Sequence, residues 1–121
     1  METATRRVNI IQEGVRHENK TLIVPGALTC TDSQLPVVFR MDHASPVGFA
    51  NGFHRAEDGW ISFSITIPGY FDFDLFEFSA YGTPVVELET PEGRDYLEGR
   101  LRAVCMIPVP VYPIQKEKQD V

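Results

Sequence analysis

Apolar and polar residues alternate with a period of two along most of this chain, and that pattern predicts strands. Ile61, Phe63, Ile65 and Ile67 are separated by Ser62, Ser64 and Thr66, which puts one face of the run in a core and the other in water. Upstream, Leu35, Val37 and Phe39 alternate with Pro36, Val38 and Arg40. That run closes on Met41-Asp42-His43, and Ala44-Ser45-Pro46 breaks it. Val47, Phe49 and Phe53 then fall at even steps, with Gly48, Ala50 and Gly52 on the opposite face. Glu57-Asp58-Gly59 between two alternating runs is a hairpin signal. Residues 35–67 thus read as three consecutive strands, with His43 where the first of them meets a loop.

The flanking segments are shorter. Residues 6–12 carry Val8, Ile10 and Ile11, and residues 21–24 end at Pro25-Gly26; together they predict an opening hairpin across the charged stretch between them. Residues 27–34 read as a polar loop holding Cys30. After Pro68-Gly69-Tyr70, Phe71 and Phe73 alternate with acids and then Phe76 and Phe78 do so one residue out of phase, a slip that predicts a bulge at Leu75. Asp72, Asp74 and Glu77 read as the wet side of an edge strand, where acids discourage unwanted pairing. A metal site built from Asp72 and Asp74, which would point to one face, is the minority reading, because two carboxylates without further ligands are common on surfaces; neither a metal nor a cofactor is expected. Gly82-Thr83-Pro84 predicts a turn and residues 85–88 a short strand. Thr90-Pro91-Glu92 has the order of a helix start, with a capping hydroxyl, proline in the first turn and an acid after it. One helix is therefore expected over residues 91–100, with Tyr96 and Leu97 as its buried contacts. Residues 101–111 form the last strand, ended at a sheet edge by Pro108 and Pro110.

The sum is a mainly β chain of about seven strands with one short helix, closed as a small barrel or sandwich. At 121 residues it is read as a single domain over residues 1–121, with residues 1–5 and 115–121 as tails, loose or docked on a partner.

Charge changes the list of partners. The chain carries a formal charge of −6 and a pI near 4.9, whereas phosphate recognition needs a basic patch, so nucleic acid is not expected. No apolar run has the length of a membrane helix, and no apolar targeting core follows Met1, so neither a membrane nor an export route is expected. Cys30 and Cys105 lie in apolar surroundings without paired spacing and read as two free thiols.

Two segments resemble the prohead (capsid maturation) serine proteases of tailed phages. The first is Leu35-Pro36-Val37-Val38-Phe39-Arg40-Met41-Asp42-His43 with Pro46-Val47-Gly48 after it and Glu57-Asp58-Gly59 as the following turn. The second is the Val/Pro-rich run from Leu101 through Pro113. The resemblance implies His43 as general base and Ser79, in Phe76-Glu77-Phe78-Ser79-Ala80-Tyr81-Gly82, as nucleophile. It also implies an acid to orient the base, but the family's acidic position falls on Ala103. Two readings follow. In the first, the chain is a virion structural protein, a decoration or minor capsid protein that uses a protease-like fold to bind the phage major capsid protein. It would assemble as a homo-oligomer, with Trp60, Tyr70, Phe71 and Tyr112 as contact candidates. In the second, it is an active maturation protease that cleaves scaffold or capsid protein through His43 and Ser79. Shed catalytic features favour the first. Cys105 as a substitute nucleophile is the weakest option, because it sits mid-strand where thiols are inert.

Overall fold

The computed structural model describes residues 2–110. Eight strands form one mixed sheet: β1 (Thr3–Gln12), β2 (Thr21–Ile23), β3 (Leu28–Thr29), β4 (Gln34–Phe39), β5 (Pro46–Arg55), β6 (Trp60–Pro68), β7 (Phe76–Thr90) and β8 (Gly93–Pro108). The lateral order is β1-β6-β5-β4-β8-β7, with β2 and β3 joining β8 beyond β4. The mainly β expectation therefore holds, as a curled half-barrel. Its two lateral edges, β1 and β7, come close to each other without forming a ladder.

The long strand β8 is the spine. Its whole length pairs antiparallel with β7. Its other edge receives three parallel segments in succession: β2 at Arg94 to Tyr96, β3 at Gly99 and Arg100, and β4 at Val104 to Met106. β4, β5 and β6 follow as an antiparallel meander, and β1 adds to the far side of β6. The apolar half of the alternation read from Ile61 to Ile67 is realised: these four side chains are buried in the interior with Val37, Val104, Phe78 and Met106. On the opposite face, by contrast, Ser62 is itself buried, accepting from Arg7 Nη1 at 2.9 Å, and Ser64 and Thr66 are half-buried rather than wet.

Four expectations are corrected. Residues 91–100 are not a helix but the turn and first half of β8. Pro91 and Glu92 occupy a tight turn, Thr90 Oγ1 donates to Gly93 O at 3.2 Å, and Gly93 has φ +145° with its Cα against the Lys20 carbonyl. Proline presets a turn's second residue as readily as a helix's first, and here Gly93 and Gly99, both poor helix residues, favour the extended form between two partner strands. Second, residues 6–12 and 21–24 do not pair as a hairpin: β1 pairs with β6 and β2 with β8. Third, Gly82-Thr83-Pro84 continues β7 through a bulge rather than ending it, and the phase slip at Leu75 marks a 3-10 turn over Phe73–Leu75 that precedes the strand. Fourth, Thr3 to Thr5 belong to β1 and are not a tail. The tail expected at 115–121 lies outside the described residues.

One buried charge ties the loops to the sheet. Glu13 is 2% exposed. Its carboxylate accepts from Gly26 N at 2.9 Å and Leu28 N at 3.0 Å. Arg55 donates to it through Nε at 2.8 Å and Nη2 at 3.1 Å, and Nη2 also reaches Leu28 O at 2.6 Å. The end of β1, the β2–β3 turn and the end of β5 are thereby joined at one carboxylate. Burial pushes the Glu13 carboxyl up, but the Arg55 hydrogen bond, the two amides and the Arg55 charge together hold it below its ordinary range.

Candidate functional site

The pleat decides which side chains can meet. In the β7–β8 ladder Phe78 pairs with Met106 and Ala80 with Val104, and these point inward. Ser79 pairs with Cys105 and Tyr81 with Ala103, so these four face outward. On the other edge of β8, Val38 sits opposite Cys105. The outer face at this height is therefore Val38, Cys105 and Ser79, with Ala103 and Tyr81 one step along.

The loop after β4 folds over that face. Arg40 takes a left-handed φ of 57° while its N–H donates to Met106 O at 2.9 Å. The chain then turns tightly, with Asp42 N donating to Phe39 O and Ala44 N to Asp42 Oδ1. Met41, though 59% exposed, receives the Cys105 thiol on its sulfur at 3.8 Å. The His43 ring lies against Tyr81, centroids 4.6 Å apart and tilted by 51°. Val38, Ala103 and Cys105 are buried beneath this cover.

The structure thus places His43 and Ser79 on one side of the sheet, with Tyr81 between them in the sense that His43 contacts Tyr81 and Ser79 is two residues away on the same strand face. It does not form a catalytic chain. Among the described residues no hydrogen bond joins the His43 ring to Ser79 or to a carboxylate. Asp42, the nearest acid in sequence, spends an oxygen on the Ala44 amide. The position that the protease resemblance assigns to the acid is Ala103, buried and apolar. Cys105 is 3% exposed and burial pushes its thiol up, the opposite of what a nucleophile needs.

The remaining candidates are dispersed. Tyr70 is 71% exposed and packs on the half-buried Phe71, rings 4.7 Å apart, while Phe71 abuts Phe76 at 5.5 Å. Trp60 starts β6 and Tyr70 lies just past its end, about 30 Å away at 3.3 Å per residue. These aromatics do not form one patch, and Tyr112 lies outside the described residues. Asp72 caps the 3-10 turn by accepting from Asp74 N at 2.9 Å, and Asp74 pairs with Arg6 at 3.1 Å. Asp72 and Asp74 thus shape the turn before the strand rather than its wet side, while Glu77 lies exposed on β7, an edge strand, as expected.

Sequence reasoning passed over Met41 and Tyr81, which cover the outer face beside His43. Tyr81 had one available signal: it lies two residues from Ser79 and so shares its face. Phe49 and Ile107 are also partly exposed on this side: Phe49 pairs with Pro36 and Thr66, and Ile107 with Glu77. Met41, Tyr81, Phe49 and Ile107 are thus the exposed apolar side chains of this outer face, interspersed with Glu77, Ser79 and Thr66. No family model, curated protein or solved structure matches this chain.

Proposed function

We propose that this protein is a binding module rather than a hydrolase: a phage virion accessory protein that docks on the major capsid protein through the outer face around His43. The observation that carries this reading is the environment of His43. Its ring is packed on Tyr81 beside exposed Met41, and Ala103 stands where a base would need an orienting acid. A hydroxyl nucleophile requires a base within hydrogen-bond reach and a third group behind that base. Exposed apolar side chains beside a single imidazole suit burial against another protein. The virion, the capsid partner and assembly as a homo-oligomer come from the sequence resemblance, and that resemblance is what the first experiment tests.

Purified mature particles are probed for this chain, and the pure protein is co-sedimented with assembled capsids. Binding that survives His43→Ala and is lost in a Met41→Asp/Tyr81→Asp pair supports the module. Absence of the chain from particles, together with no capsid binding, rejects it. One observation favours the alternative of a maturation protease: His43 and Ser79 share a face of the sheet. Co-expression with the cognate capsid protein separates the two readings. Cleavage abolished by both His43→Ala and Ser79→Ala establishes the enzyme, and unchanged processing in both removes it.

A further inference from the structure

One level of the interior is built almost without side chains. On β7 and β8, Ala80 packs against the core, Gly82 pairs with the buried Leu101, and Gly99 pairs with the buried Leu28. At both glycines the neighbouring chain comes close. A Cβ on Gly82 would lie 2.6 Å from Arg100 O, and one on Gly99 would lie 3.2 Å from the Leu28 side chain. Glycine inside a strand answers such an approach, and here it leaves an apolar cavity of about 200 Å³ beside the ladder. Ile11, Ile23, Leu28, Tyr96 and Leu101 wall it, with Ala80 at its side.

These walls are held in place by the backbone. Gly14 N donates to Ile23 O at 2.7 Å, Val24 N to Tyr96 O at 3.1 Å and Gly99 N to Ala27 O at 3.0 Å. The Glu13 carboxylate takes the amides of Gly26 and Leu28. A cavity persists where its surroundings can relax only in part, and a pocket formed in advance costs its ligand little reorganisation. A buried water needs ~2–4 polar partners, whereas an aliphatic cavity of ~150 Å³ stays dry and takes up benzene. The present cavity exceeds that volume and has walls of the same kind. Ile11, Ile23, Ala80 and Tyr96 also line the groove between β1 and β7, which supplies a way in.

We infer that this cavity binds a neutral single-ring aromatic molecule, which enters through the groove between β1 and β7. Charge is selected against. Arg100 is the one charged residue in the lining among the described residues, and it is exposed. Its carbonyl approaches Gly82, while its side chain alternates to the face opposite Leu101. A carboxylate carried inside would be buried without a partner. The site goes beyond the outer-face reading and does not rest on it: Ala80 faces inward, and Ser79, Tyr81 and the His43 loop lie on the other side of the sheet.

Toluene is titrated into the protein while methyl NMR follows Ile11, Ile23, Leu28 and Leu101, with Val37 and Ile65 as buried methyls outside the lining. Saturable shifts confined to the four lining residues are expected, with a melting temperature that rises with toluene concentration. Benzoate, a ring of similar size that carries a charge, binds at least about 10-fold more weakly. Ala80→Leu places a branched side chain in the cavity and abolishes the toluene shifts; if that variant does not fold, the comparison of toluene with benzoate in the parent decides. The inference is overturned by the absence of saturable shifts up to the solubility limit of toluene, or by shifts spread equally over Val37 and Ile65. Benzoate binding as tightly as toluene overturns it too, as do toluene shifts that persist in folded Ala80→Leu. So do lining methyls whose positions move with protein concentration before toluene is added, because a second copy would then be the occupant.

Discussion

Replacing Glu13 by alanine tests whether one carboxylate unites three loops. The substitution removes the acceptor for Gly26 N, Leu28 N and the Arg55 fork. Leu28 is buried, so its orphaned N–H costs the full ~1–3 kcal/mol of an unsatisfied buried donor. Gly26 lies at the surface and recovers a water partner. The Arg55 side chain is 34% exposed and rehydrates, so its share is discounted towards the ~0–1 kcal/mol of a surface pair. The sum is about 1–4 kcal/mol, a sizeable part of the ~5–15 kcal/mol that stabilises a small domain. In urea, with a slope of ~1.5 kcal/mol/M, the midpoint falls by about 0.7–2.7 M. The same group sets an acid limb. Its folded pKa lies below the ordinary 4.5, so its contribution is complete above that pH and is lost as pH drops through the folded value. Glu13→Gln fills the same space but turns an amide N–H₂ towards donors; it too lowers the midpoint, and it flattens the decline of stability below pH 4.5. A Glu13→Ala midpoint within ~0.3 M of the parent at neutral pH, less than ~0.5 kcal/mol at that slope, would refute the reasoning. So would an acid limb that Glu13→Gln leaves unchanged.

Three further outcomes are expected. Phe63→Ala, at a fully buried ring of the interior, lowers stability by ~3–5 kcal/mol in chemical denaturation. Gly48→Ala drives a Cβ into the Thr66 carbonyl across the β5–β6 ladder; the strands must separate to admit it, and the melting temperature falls by several degrees, on the order of 1–3 kcal/mol of overpacking. Iodoacetamide labels Cys30, which is half-exposed, well before Cys105, whose labelling tracks unfolding; equal rates under native conditions would mean that the Met41 loop does not cover the outer face.

The parts of the fold legible in the sequence are those where pleat and burial coincide. Ile61 to Ile67 alternates because one side of β6 is inside, and the Asp58-Gly59 turn follows from the residues that form it. The first half of β8 was hidden for the converse reason. Arg94 and Arg100 are exposed, Asp95 is tied to Arg16 at 2.9 Å, and partners on both edges, distant in sequence, hold the segment extended. Local propensity carries no record of such neighbours. The pairing of β1 with β6 is likewise long-range, and hydrophobic content alone could not separate it from a local hairpin. At the candidate site, His43 and Ser79 were readable as residue types. Their shared face depended on a register that only the pairing of β7 with β8 defines, and the covering role of Met41 and Tyr81 arises from a loop turned by Arg40. The Glu13 network left no trace in the pattern, since a lone acid after a strand is usually solvated.

Because three separate early segments lean end to end on a strand that comes late, synthesis order acquires a physical meaning. While a ribosome is still extending the chain, β4 to β6 can already zip up with β1, whereas β2 and β3 have nothing to hold until residues 94–100 emerge. Such distant pairings are entropically slow to form, so the molecule is expected to pass through an interval in which half its sheet is built and the other half waits, with the β4 edge bare. A nascent chain of this kind is most vulnerable to wrong pairing just before its final strand arrives.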